Sequence, residues 1–258
     1  MEDVLADLVA ERDDLRSMLA AFPDDAFDRM TPADPWLVRD QISHLAFYDD
    51  EATKAATSSE AFAAAVSKMA EMGAEAYMQQ HISRGREMDP DELMQWLADA
   101  ERAMLEALAR CDPDDRLPWY GPPMRASSFV VARLMETWAH GQDIADALGV
   151  RREPTARLFH VAELGIKTFR FSYQNRGLDV PDGRVRVALR GPSGTVSVWN
   201  DEYDDSVTGP LEDFCLVVTQ RRNIADTHLV IEGPLAAEWM SIAQAFAGPP
   251  GPGRPPTG

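Results

Sequence analysis

Cysteine and lysine are scarce in this chain, and long apolar runs are missing altogether. Only two cysteines, Cys111 and Cys215, occur in 258 residues, far apart and outside any C-x-x-C spacing. That excludes a disulfide framework and a thiolate zinc site, and reads as two ordinary thiols of a cytosolic protein. Three lysines, Lys54, Lys68 and Lys167, stand among 25 basic residues against 43 acidic ones, for a formal charge of −18. A surface so negative repels phosphate backbones and anionic lipids, so neither nucleic acid nor a membrane is an expected partner. No apolar stretch approaches the roughly 20 residues of a spanning helix. The acidic, amphipathic start MEDVLADLVAERDDL is the reverse of a secretory leader, and the expected location is the cytoplasm.

What is present is apolar material in quantity. A hydrophobic fraction of 45% with six tryptophans is enough for packed cores and excludes wholesale disorder. The first 150 residues are helical in pattern. Val4, Leu5, Leu8, Leu15, Met18 and Leu19 share one face of a helix over 3–20. A proline-punctuated loop leads into a second helix from about Leu37, and a third is expected over roughly 59–82. The segment from Asp89, with an Asp-Pro start and Leu93, Trp96, Leu97, Met104, Leu105 and Leu108 at helical spacing, is the clearest. Residues 112–125 form a proline-rich connection. A last long helix runs from about Ala126 to Leu148, with Gly149 as its C-cap. Four long helices with modest loops signal a bundle.

The pattern changes after Val150. Residues 155–173 still read as helix. RVRVALRG (184–191) and GTVSVWN (194–200) flank a Gly-Pro-Ser-Gly turn and predict a β-hairpin. PLEDFCLVVTQRR (210–222) predicts a helix with Pro210 in its first turn, THLVIEG (227–233) a strand, and residues 234–248 another helix. The expected fold class is therefore α+β: a helical bundle over 1–150, a smaller α/β domain over 151–248, and a Pro/Gly tail over 249–258.

One stretch of the bundle is chemically unusual. In METWAHGQD (135–143), Glu136 and His140 are four residues apart and project to the same side of a helix whose neighbours are apolar. His44 occupies a comparable place in QISHLAFYD, among Ile42, Leu45 and Phe47. Burying a carboxylate and two imidazoles without partners costs several kcal/mol. Spacing alone leaves two readings open: a solvated Glu/His pair beside a hydrogen-bonded core histidine, or a three-ligand cation site with a free fourth position. In the second reading Asp40, one turn before His44, and Asp143, three residues past His140, are candidate acceptors for the other N–H of a ligand imidazole. Trp36 is read as a packing anchor ahead of the second helix, and Tyr48 as core. His81, His160 and His228 have no helical partner at ligand spacing and are set aside.

TPADPWLVRDQISHLAFYD, followed by a helix pair and ARLMETWAHGQDIADALG, resembles the mycothiol-dependent maleylpyruvate isomerase family, within the wider DinB-like group of metal-binding bundles. The likeness continues through EDFCLVVTQRR and AQAFAGPPGPGR and so covers nearly the whole chain. It implies a DinB-like four-helix bundle with a C-terminal α/β domain, and a metal held by His44, Glu136 and His140. Zinc is the first choice, and nickel, manganese or iron suit the same donors.

The resemblance further implies mycothiol or a similar thiol as cosubstrate, ionised at the open metal position and added to a small electrophile. Isomerisation of an unsaturated acid, or S-transfer to the electrophile, would follow. An arginine of the second domain serves that site in the family. By local pattern it falls here on Arg221, with Arg222 as the alternative. Two other readings stay open: a metal enzyme that uses no thiol, acting as a lyase, hydrolase or isomerase, and a non-enzymatic small-molecule binder with a structural metal. A monomer and a homodimer are equally compatible with the sequence.

Overall fold

In the computed structural model, which describes residues 1–257, the chain forms two compact units, Met1–Arg152 and Glu153–Gly258. The first holds six α-helices: α1 (Glu2–Leu19), α2 (Val38–Thr57), α3 (Ser59–Met72), α4 (Ala74–Glu87), α5 (Pro90–Leu108) and α6 (Ala126–Leu148). Helix α2 is central, packed by α3, α4, α5 and α6, and α1 lies along α6. Leu15, Leu19, Ile42, Leu45, Leu93, Leu97 and Ile144 meet in the core between them. The caps sit where the residue types put them. Asp89 accepts from the Glu92 N–H at 2.8 Å, and Glu92 returns a bond to the Asp89 N–H, a reciprocal cap ahead of Pro90. Gly149 ends α6 with φ 70°, a left-handed turn that glycine makes without a Cβ penalty.

The single helix expected over 59–82 is two. Gly73 takes φ 85° and breaks it, so α4 turns back to pack on α2. The approach is close: a Cβ at Gly85 would lie 1.7 Å from Ser43 Oγ. Arg39 clamps the same end by donating to the Met88 carbonyl at 3.1 Å. The 112–125 connection carries a two-residue pairing that the sequence did not announce, β1 (Arg116–Leu117) with β2 (Met124–Arg125).

The bundle also buries charge. Asp49 on α2, fully buried, receives Arg12 of α1 at 2.6 Å and Arg133 of α6 at 2.8 Å. Such a cluster gives up hydration and stabilises little net, but it fixes which turns of three helices face one another. Asp49 lies five residues after His44, and Arg133 three before Glu136. The cluster therefore sets register right beside the candidate site.

The second unit has a four-stranded sheet in the order β4-β3-β5-β6. Its strands are β3 (Arg186–Arg190), β4 (Val196–Trp199), β5 (Ser206–Pro210) and β6 (Val230–Glu232). β3 and β5 run parallel, and the outer pairings are antiparallel. Helices α7 (Leu158–Lys167), α8 (Phe169–Gln174), α9 (Leu211–Val218) and α10 (Pro234–Ile242) complete it. The hairpin is as expected. Strand β5 was not anticipated, and the 155–173 helix divides at Thr168. The helices expected to reach 222 and 248 stop at Val218 and Ile242. The Pro/Gly tail is pinned as irregular chain: Arg176 donates to the Gly251 carbonyl, Asn223 to that of Arg254, and the Thr257 N–H and hydroxyl to Asp226. Among the described residues, no helix is long and apolar enough to cross a membrane.

Candidate metal centre

His44 on α2 and Glu136 and His140 on α6 converge. One potential ligand atom from each lies within 4.8 Å of the other two. Glu136 Oε2 stands 3.1 Å from His140 Nε2 and 3.7 Å from His44 Nε2. The side chains keep 11%, 22% and 11% of their surface exposed, for His44, Glu136 and His140, so a small ligand can reach them. Burial would raise the Glu136 carboxyl. Where the two facing imidazoles carry a proton toward it, their hydrogen bonds and charge outweigh that and hold it well below the usual carboxylate range. Burial, with His140 alongside, pushes His44 down to about 3.

The partner that orients His140 is Gln41, on α2 three residues before His44. A hydrogen-bond chain with a fixed direction joins them. The Trp36 carbonyl can only accept, so Thr31 Oγ1 donates to it at 2.7 Å. Thr31 Oγ1 then accepts from Gln41 Nε2 at 3.0 Å. That leaves Gln41 Oε1 to accept from His140 Nδ1–H at 2.5 Å. His140 must therefore carry its proton on Nδ1 and turn Nε2 toward Glu136. A bare Nε2 lone pair 3.1 Å from a carboxylate oxygen is repulsive, and only a proton or a cation between them reconciles the geometry.

Of the two carboxylates expected as imidazole acceptors, Asp40 proves to be placed otherwise. Asp40 is committed to Arg86, at 2.9 and 2.7 Å, and to the Leu37 N–H at the start of its own helix. At the third position of α2, capping is the nearer geometry. Asp143 is buried, but Gln41 and Glu136 take both His140 ring nitrogens, leaving none for it. Trp36 is more than an anchor: its ring stacks on His140 at 6.0 Å and tilts against His44 at 5.1 Å. Tyr48 faces His44 at 4.5 Å. His81, set aside on sequence, lies 5.7 Å from the His44 ring and stacks on Phe47. Its signal was tertiary, since the turn at Gly73 brings α4 back.

Arg221 and Arg222 lie in the second unit just past α9. Arg221 Nη1 donates to the Thr219 carbonyl at 2.7 Å, and Arg222 Nη1 to that of Arg221 at 2.8 Å. The Arg221 carbonyl also accepts from Arg254 Nη1 at 2.9 Å.

Comparison with known proteins bears on descent and fold. Residues 8–145 match the family profile described as the mycothiol maleylpyruvate isomerase N-terminal domain. Two Mycobacterium tuberculosis proteins, uncharacterized protein MT0041 of strain CDC 1551 and uncharacterized protein Rv0036c of strain H37Rv, are each 43% identical over 253 residues. The match spans 97% of this chain and 97% of each relative. The crystal structure of the mycothiol-dependent maleylpyruvate isomerase superposes with a TM-score of 0.59 at 17% identity, over 90% of this chain and 94% of that one. A histidine-to-alanine mutant of that isomerase gives 0.58, over 85% and 89%. At such identity the superposition speaks for the fold, and the profile and the relatives for descent. This chain belongs to the mycothiol maleylpyruvate isomerase family.

Proposed function

We propose that the protein is a metal-dependent enzyme. In this reading it uses a low-molecular-weight thiol, mycothiol or a close analogue, as nucleophile toward a small electrophilic substrate such as an unsaturated acid. The observation that carries the metal is the directed chain from the Trp36 carbonyl to His140 Nδ1, which leaves a nitrogen lone pair aimed at a carboxylate. His44, Glu136 and His140 would hold the ion. Two imidazoles and one carboxylate suit zinc first, and nickel, manganese or iron as well. What the ion supplies is positive charge that favours the ionised form of a thiol beside it.

The chain's own residues supply the rest. Gln41 fixes the His140 ring and its tautomer, Trp36 closes one side of the donor cluster, and Tyr48 lines another. Neither cysteine supplies the sulfur in this reading: burial raises the Cys215 thiol well above its ordinary value and raises that of Cys111 too. An external thiol fits that arrangement. Family membership supports isomerase-type chemistry, in which addition to a conjugated double bond allows rotation before the thiol leaves. Arg221 or Arg222 is assigned to a substrate or thiol carboxylate, which a guanidinium fork matches. The reading expects a soluble, cytoplasmic protein, monomeric or homodimeric.

Titrating the cobalt-loaded protein with mycothiol tests this. The expected result is a sulfur-to-metal charge-transfer band that saturates at one thiol per chain, with turnover of unsaturated acids that requires the thiol. A metal-bearing protein whose spectrum ignores thiols, and whose turnover does not need them, would shift the assignment to thiol-independent chemistry.

A further inference from the structure

The bundle holds a buried histidine to which the site described above gives no role. His81 on α4 is 2% exposed, and neither of its ring nitrogens has a hydrogen-bond partner among the described residues. Burial pushes it down to about 4. A neutral imidazole with both nitrogens unmatched in a core forfeits the hydration of each polar atom without a bond in return. Phenylalanine would fill the same space on Phe47 without that cost. His44 has the complementary gap: its Nε2 faces Glu136, and its Nδ1 is buried with no partner among the described residues. His140, by contrast, has its outer nitrogen held by Gln41.

The two rings are neighbours, with centroids 5.7 Å apart and planes at 57°. No direct bond joins their nitrogens among the described residues, and ring centres 5.7 Å apart are compatible with one bridging water. The surroundings hold His81 in place. Phe47 stacks on it at 4.4 Å and 12°, and Tyr48 meets it edge-on at 5.9 Å. Both come from the turn of α2 that follows His44. On α4, one turn past His81, Gly85 meets Ser43, and the next residue, Arg86, grips Asp40. The helix carrying His81 is thus locked to the helix carrying His44 on either side of the pair.

We infer that His81 is the positioning residue of His44, joined to its Nδ1 through a single bridging water, as Gln41 is for His140 by direct contact. This rests on the metal reading above. Its role is to fix the ring plane and tautomer so that Nε2 presents its lone pair to the ion, as outer partners of metal-bound imidazoles do.

Titration of metal-free protein with Co(II), with Zn(II) in competition, provides the test. His81→Phe keeps the ring stack and removes the polar atoms. It is expected to leave the thermal midpoint unchanged or raised while weakening Co(II) binding about 10–100-fold. His81→Gln, which keeps a donor and an acceptor, recovers most of that loss. The solvent-exchangeable, paramagnetically shifted N–H signal of His44 in the Co(II) protein exchanges slowly in the unaltered chain and in His81→Gln, and rapidly in His81→Phe. Equal affinity for His81→Phe and the unaltered protein overturns the assignment, as does His81→Gln binding no better than His81→Phe. Should His81→Phe not fold, rapid exchange of the His44 signal in the unaltered protein overturns it and slow exchange supports it. An unaltered protein that takes up no Co(II) sinks the metal reading itself, which is a separate result.

Discussion

Replacing Asp49 by alanine should destabilise the bundle more than any exposed acidic substitution. Asp49 and Arg12 are fully buried and Arg133 nearly so, and one carboxylate serves both arginines. Burial already works against the Arg12 charge, and Asp49 is the chief group that offsets it. An arginine in a protein does not deprotonate, so Asp49→Ala leaves two buried guanidinium ions without their shared carboxylate. Removing one member of a buried pair costs about 3–5 kcal/mol. That is a large share of the roughly 5–15 kcal/mol by which domains are stable. With a urea dependence near the upper end for small proteins, about 3 kcal/mol/M, the midpoint should fall by about 1–1.7 M. Asp13→Ala removes an exposed partner of Arg16 and should cost under about 1 kcal/mol. Urea denaturation followed by far-UV circular dichroism reads both. A shift for Asp49→Ala no larger than that for Asp13→Ala would refute the view that the buried cluster, rather than apolar packing alone, holds α1, α2 and α6 in register.

Two other outcomes follow from the site. Gln41→Leu removes the acceptor of His140 Nδ1–H and the donor to Thr31, and should weaken metal binding about 10–100-fold with little change of fold; calorimetric zinc titration reads this, and unchanged affinity would contradict the relay. The pH dependence of the metal-free protein has a definite sign. His44 and His81 bind protons more weakly folded than unfolded, as their values of about 3 and 4 against 6.5 show. Stability should therefore be complete above about pH 6.5 and decline as pH falls toward 4 and 3. Urea midpoints at pH 7.5 and 5 test this, and His81→Phe should flatten the slope.

Much of the bundle was legible because its signals are local. Asp89-Pro90 and Gly149 announced helix ends through side-chain caps and glycine conformation, and the four-residue spacing of Glu136 and His140 left two readings open until the family resemblance pointed to a site. The parts missed are those that tertiary contact decides. Gly73 lies within a run of alanines and methionines that would propagate a helix, and only the packing of α4 on α2 rewards the break. Strand β5, SVTGP, has five residues including a glycine and a proline, too little pattern to outweigh its turn-like composition. Asp40 was misassigned although its third position in α2 pointed to capping. Gln41 and His81 carry no spacing signal of their own toward His140 and His44. Their roles exist only once α6 and α4 are laid against α2.

The most direct measurement is elemental analysis of protein purified without added metal, beside His44→Ala, Glu136→Ala and His140→Ala variants whose folding is checked by circular dichroism. One equivalent of a divalent ion per chain is predicted for the unaltered protein, with each folded variant largely depleted. Folded variants that retain a full equivalent, or an unaltered protein that neither contains nor binds a divalent ion, would contradict the account.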